Sequence, residues 1–177
     1  MSLPSLAMRA YSTFAQANAQ VHGGFPFSGL MTPFGTNSQA YVESNMGPLS
    51  VNYASTNAEY WYVANGWLYS PTGYSQVSLT VSWYDRSQGY IGSSSNFGSL
   101  AAGVWTNVVN YYAAPPTACY ATVLAFEIGT PPATATLYLS NVALTAAPEV
   151  TGALASVAAV NYPPGAPWPP TGVTQLA

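Results

Sequence analysis

The chain has 177 residues, of which 4% are charged: two arginines, no lysine and five acids, for a net charge of -3. Phosphate recognition needs Lys or Arg to displace counterions, so nucleic acid and anionic membrane surfaces are excluded as partners by charge alone. A surface this poor in charge suits a subunit that buries much of itself against neighbours, because a dispersed monomer ordinarily relies on charge.

Leu6, Ala10, Phe14, Ala17 and Val21 recur at spacings of three and four, which predicts a short N-terminal helix. Pro4 fits its first turn and Gly23-Gly24 its end. The segment has no basic region followed by a continuous apolar run, so no signal peptide is expected. No apolar run of the chain approaches the roughly 20 residues of a membrane span. His22 falls in the glycine-rich connection "HGGFPFSGLMTPFGTN", where a surface or capping role is expected.

From Ser38 to Leu144 the pattern is one of short strands bounded by Gly, Pro, Ser and Asn. "QAYVES" and "LSVNY" come first, then "EYWYVANGWLYS", closed by a turn at Pro71-Thr72-Gly73. "SQVSLTVSWYD" alternates strictly. Val77, Leu79, Val81 and Trp83 point one way; Ser78, Thr80, Ser82 and Tyr84 point the other. "GYIGSS", "VWTNVVNYY", "ACYATVLAFEIG" and "TATLYLSNVAL" follow. Many short strands without intervening helices predict an all-β, antiparallel β-sandwich of jelly-roll type. The last stretch carries "YPPGAPWPP", which predicts an extended Pro-rich C-terminal arm with Trp168 laid on a neighbour. The expected layout is therefore residues 1–37 as helix and irregular arm, 38–146 as β-sandwich domain and 147–177 as Pro-rich arm.

Catalytic chemistry is thinly supplied. His22 is the one histidine and there is no lysine, so a Ser-His-Asp relay and a Schiff base lack parts. Asp85 and Glu127 end neighbouring strands and are the pair to weigh for glycoside cleavage, although Asp85 in "YDRSQGY" reads as a turn residue. Cys119 is alone, so no internal disulfide forms, and its strand-like surroundings predict a buried, inert thiol. No cofactor is expected, and a metal site built from Cys and His is excluded by count. What remains is the aromatic content, 14% of the chain, whose Tyr and Trp rings suit sugars and protein partners alike.

Four segments follow one another in order: "AEYWYVANGWLYSPTG", "VSLTVSWYDRSQGYIGSSS", "LAAGVWTNVVNYYAAPPTACYATV" and "ATLYLSNVAL". Together they resemble the galactose-binding-like jelly roll of carbohydrate-binding modules, as carried by minor tail proteins of phages that infect actinobacteria. The resemblance covers roughly residues 38–146. It implies a non-enzymatic structural protein of a phage virion, a minor tail or capsid decoration protein, located on the particle and partnered by other virion subunits or by copies of itself. Phe14, Trp61 and Trp168 are then the expected assembly contacts. The alternative is a module that attaches the particle to a host cell-wall glycan, with Trp67, Tyr69, Tyr84 and Tyr90 as the rings and Asn, Gln and Ser reading hydroxyls. Where that family carries an Asp in its last strand, tied to structural calcium, this chain has Ser140-Asn141.

"YWYVANGWLYS" is open to two readings. Asn65-Gly66 is a strong hairpin signal, which would cut the stretch in two. The ordered resemblance argues for one strand from Tyr60 to Ser70 instead, with Tyr60, Tyr62, Ala64, Gly66 and Leu68 on one face and Trp61, Val63, Asn65, Trp67 and Tyr69 on the other. On that reading both faces are apolar, so one is core and the other is covered.

Overall fold

The computed structural model of the chain describes residues 6–49 and 61–147. Within them every named strand pair is antiparallel, and two sheets pack face to face. Sheet A runs β1 (Leu6–Ala10), β4 (Gln39–Ser44), β11 (Tyr120–Ile128), β7 (Tyr74–Tyr84) and β8 (Tyr90–Ser94). Two short strands join it: β5 (Gly47–Pro48) on β11 and β9 (Gly98–Leu100) on β7. Sheet B runs β10 (Thr106–Ala113), β6 (Trp61–Tyr69), β12 (Leu137–Ala146), β3 (Ser28–Pro33) and β2 (Ser12–Ala17). This is the expected all-β sandwich. "LSVNY", the Pro-rich arm and Trp168 lie outside the described residues, Leu49 apart.

The expected N-terminal helix is absent. Its residues form β1 and β2 instead, paired to β4 and β3, and the sandwich thus takes in strands ahead of residue 38. The reason lies in the spacing: Leu6, Ala10 and Phe14 are four apart, an interval that fits a helix turn and a strand face equally. Neighbouring strands supply the backbone partners, and "STF" suits a strand better than a helix. Tyr11, at φ 56, breaks the run between the two strands and sends the chain from sheet A to sheet B. The corner is held by Ser12 Oγ donating to Tyr41 O at 2.9 Å and Phe34 N donating to Tyr11 O at 2.9 Å.

The core forms where the inward stripes meet. Val77, Leu79, Val81 and Trp83 of β7 point inward as expected, beside Val123 and Ala125 of β11 and Val42 of β4. Tyr62, Ala64 and Leu68 of β6, Met31 of β3 and Leu137 and Leu139 of β12 face them from sheet B. Burying each such large side chain contributes about 1.5–3 kcal/mol. The Trp83 indole meets the Tyr62 ring edge-on at 5.8 Å and donates through Nε1 to Ser94 Oγ at 2.9 Å.

One seam in sheet A is closed from the opposite sheet. Ser94 of β8 pairs with Val81 and Gly98 of β9 with Val77, so the chain leaves β7 between them. The Leu79 carbonyl in that gap accepts from Asn110 Nδ2 at 3.2 Å and Tyr112 OH at 2.8 Å, both on β10. A buried carbonyl left bare would cost about 1–3 kcal/mol, so these two polar side chains belong in the core.

β6 is a single strand, and no turn forms at Asn65-Gly66. Asn65 pairs with Val109 on one side and Ala143 on the other. Gly66 serves packing rather than turning. Opposite it, β12 carries a bulge between Ser140 and Ala143, with Asn141 at φ 52. The bulge presses Val142 into the space where a side chain at 66 would stand. A Cβ on Gly66 would sit 2.8 Å from Val142 Cγ2 and 3.1 Å from Val142 Cα. Gly66→Ala should therefore destabilise by about 1–3 kcal/mol, read as a lower urea midpoint. Asn65→Ala, on the outer face, should stay within about 0.5 kcal/mol. A tight turn would invert that order, because Asn65 would then carry a positive φ.

Candidate functional site

The outer face of sheet A departs from what alternation leads one to expect. Ser78, Thr80 and Ser82 of β7 and Thr122 of β11 point away from the core, yet all are buried, as is the outward Glu43 of β4. They form a buried polar strip, called the trough below, with aromatic side chains on either side. One wall is a row of tyrosines set side by side on adjacent strands: Tyr120 pairs with Tyr84, and Tyr84 with Tyr90. The Tyr84 and Tyr90 rings meet edge-on at 5.8 Å, and Tyr90 is 63% exposed. The other wall is Tyr41, Phe126 and Phe97, with ring spacings of 5.8 and 5.7 Å.

The polar floor is organised around one carboxylate. Thr122 Oγ1 and Tyr84 OH both donate to Glu43 Oε1, the second at 3.1 Å. Burial pushes the pKa of the Tyr84 hydroxyl up, and the neighbouring Glu43 charge adds to this, so Tyr84 remains a donor. Tyr41 is raised for the same two reasons in the same order. Further along the floor, Thr80 Oγ1 and Ser95 Oγ lie 2.9 Å apart, and Asn96 N donates to Ser78 Oγ at 3.2 Å. Exposed tyrosine rings beside a hydrogen-bonded polar strip are chemistry suited to a polyhydroxylated ligand.

Sheet B carries a second aromatic group on its own outer face. Trp67 and Tyr69 of β6 point outward and are half-buried. Tyr69 meets Trp105 at 5.4 Å and Tyr138 of β12 edge-on at 5.8 Å. His22 stacks on Trp67 with ring centroids 3.9 Å apart and planes inclined by 25°. It is thus no simple surface or capping residue.

The four expected sugar contacts therefore split into two pairs on opposite faces of the sandwich: Tyr84 with Tyr90, and Trp67 with Tyr69. Of the expected assembly contacts, Trp61 stands half-buried on the outer face of sheet B. Phe14 instead packs inward against the core and lines a cavity of about 520 Å³ between the sheets, with Val42, Tyr62 and Val123. Its place in β2 rather than a helix sets that direction. Cys119 stands just ahead of β11 and is half-buried rather than sealed in the core.

Asp85 and Glu127 do not meet. Glu127 pairs with Val77 at one end of β7, while Asp85 follows Tyr84 at the other. Eight residues of strand separate the two positions, about 27 Å at the usual rise, far beyond a paired-carboxylate spacing. Asp85 closes its turn: Oδ1 accepts from Ser87 N, Ser87 Oγ and Gly89 N at 2.8, 2.7 and 2.8 Å. The Ser87 hydroxyl first, then the Gly89 amide, hold its pKa below the usual carboxylate value. Ser140 is buried and Asn141 occupies the bulge. No group of three His, Cys, Asp or Glu side chains forms among the described residues. No helix among the described residues is long and apolar enough to cross a membrane.

No family model and no curated protein matches the chain. Solved structures do. The C-terminal family 22 carbohydrate-binding module of Clostridium thermocellum Xyn10B is 13% identical with a TM-score of 0.55, over 81% of this chain and 86% of that one. The CBM22-1 xylan-binding domain of Paenibacillus barcinonensis Xyn10C is 13% identical with a TM-score of 0.54, over 78% of this chain and 84% of that one. The enzymatically active domain of bacteriophage CBA120 tailspike protein 4 is 12% identical with a TM-score of 0.52, over 77% of this chain. The match spans only 18% of that tailspike domain. At these identities the likeness is one of fold, and the fold of this chain is the two-sheet β-sandwich of carbohydrate-binding modules.

Proposed function

We propose that the chain is a non-enzymatic glycan-binding β-sandwich whose ligand lies in the trough on the outer face of sheet A. The observation that carries this reading is the buried Glu43–Thr122–Tyr84 hydrogen-bond group beside the tyrosine row Tyr120, Tyr84, Tyr90. Thr122 and Tyr84 converge on Oε1, and on this reading a ligand hydroxyl would meet the other carboxyl oxygen. The similarity in fold to xylan-binding and other carbohydrate-binding modules supports the same reading. The ordered motifs resemble those of phage minor tail proteins, which supports a place on a virion, where binding a cell-wall glycan would hold the particle to its host.

A glycan array and a pull-down on insoluble wall polysaccharide test the binding reading. Tyr84→Ala combined with Tyr90→Ala should weaken binding by about tenfold for each stacking ring lost. Equal retention of wild type and double variant on every glycan that binds would move the site off sheet A. No retention at all of the wild type would end the glycan reading and leave the structural virion role.

A further inference from the structure

We propose that the slot between Trp67 and Trp105 on sheet B is a second ligand site, for one neutral sugar ring, and that His22 holds it shut. This site is independent of the trough on sheet A.

The His22 imidazole lies in the slot as a flat ring would. It is 3.9 Å from the Trp67 centroid at 25°, and 5.3 Å from the Trp105 centroid at 49°. A pyranose ring stacks on an indole at a comparable distance, offering C–H groups to the same π face. Tyr69 and Tyr138 extend the aromatic surface beyond Trp105. In the strand register Trp67 stands beside Asn107, an exposed amide able to meet ring hydroxyls.

The ligand class follows from charge. The strands β2, β3, β6, β10 and β12 contain no Asp, Glu, Lys or Arg. Glu43 and Glu127 stand on strands of sheet A, and Asp85 and Arg86 in the turn between two of them. A uronic or sialic acid would find no counter-charge on the strands of sheet B, whereas a neutral sugar needs none.

His22 is placed to be displaced. Its loop joins β2 to β3 and turns back through Gly23 and Gly24, at φ 65 and 76, a conformation that side chains disfavour. Among the described residues the hydrogen bonds that tie the loop down are few: Phe25 N to His22 O at 3.3 Å, and Ser28 Oγ to Gln20 O. Val21 and Phe25 on either side of the turn are exposed. A segment with so few ties opens at small cost. A ligand competing with an internal occupant sees its apparent affinity reduced by the open fraction.

The test follows the indole resonances of Trp67 and Trp105 by NMR in the full chain. The probes are neutral hexasaccharides of glucose, xylose and N-acetylglucosamine, with polygalacturonate as the charged control. A neutral hexasaccharide should shift both indoles, and His22→Ala should tighten that response about fivefold, the gain from removing one aromatic stack. Trp67→Leu or, if that variant folds poorly, Trp105→Ala should abolish it. The response should survive Tyr84→Ala with Tyr90→Ala, which separates this site from the trough. Binding no tighter in His22→Ala than in wild type, or no indole shift with any neutral probe in that variant, overturns the proposal. A stronger response to polygalacturonate overturns the ligand class. Self-association of His22→Ala without a sugar response assigns the face to a protein interface instead.

Discussion

Glu127→Gln should stabilise the protein at and above neutral pH, and it should remove most of the dependence of stability on pH between about 4.5 and 8. Glu127 shares the inward side of β11 with Val123 and Ala125, at 0% exposure, and neither carboxyl oxygen has a hydrogen-bond partner. Burial raises its pKa from 4.5 to about 8. The direction of the effect is set by which state holds the proton. Between those two values the folded protein keeps the proton and the unfolded chain has lost it. Unfolding then releases a proton, so stability is full below about pH 4.5, falls as pH rises, and levels off above about 8. The loss across that window is on the order of 5 kcal/mol, a large share of a domain's net stability. Among the described side chains none beside it is a cation. Register neighbours are Val77 and Ala40, and the nearby Tyr74 phenol is spent on Ile128 O at 2.7 Å. Asp85 works outside this window, since its pKa is held below 3.8. Urea unfolding of wild type and Glu127→Gln at pH 4, 6 and 8 measures the effect. The two curves should nearly coincide at pH 4 and diverge upward in favour of the variant. A wild-type midpoint that stays flat from pH 5 to 8 would show that water or a cation reaches the carboxyl.

Strand direction was legible in β7 because Val and Leu alternate there with Ser and Thr. It was legible in β6 because the ordered motifs outweighed Asn65-Gly66. The reason for Gly66 was not legible, since it depends on a bulge in β12, a strand some seventy-five residues away in sequence. The N-terminal helix misled because alanine and a spacing of four do not distinguish the two periods, and a strand's partner is invisible in its own sequence. Tyr84 and Tyr90 could be named as rings but not joined into a row with Tyr120, because register across three strands fixes that row. Glu43 left one usable trace: it follows Val42 in "QAYVES" at an outward position, a charge in a chain almost without charge. Trp105 carried a similar trace in "VWTN". Its partnership with His22 carried none, because a loop crossing the face of a sheet has no periodic signature.

Glu43→Ala should cost the most glycan affinity of any single change in the trough, about 10- to 100-fold, and should lower stability by about 1–3 kcal/mol. The two halves of that statement have different causes. A hydrogen bond to a charged group contributes about 1.5–3 kcal/mol, and on the proposed reading a ligand hydroxyl donating to Glu43 would gain from it. Stability is a separate matter. A carboxylate sealed beside the sheet loses much of its hydration, and the bonds from Thr122 and Tyr84 do little more than offset that loss. Removing the carboxylate relieves that cost but leaves the buried Thr122 hydroxyl without its acceptor, a loss of about 1–3 kcal/mol. Glu43→Gln refines the test, because the amide keeps the shape and an acceptor for Thr122 but loses the charge. It should weaken binding several-fold, between wild type and Glu43→Ala. Tyr84→Phe keeps the stacking ring and removes one of the two donors, so any loss of affinity it shows reports on the orientation of Glu43 rather than on stacking. Calorimetric titration with a glycan retained by the wild type, set beside urea unfolding of the same variants, reads both quantities. A Glu43→Ala protein that binds normally but unfolds several kcal/mol earlier would mark the carboxylate as a structural bond between β4 and β11, and the trough would lose its claim to the ligand.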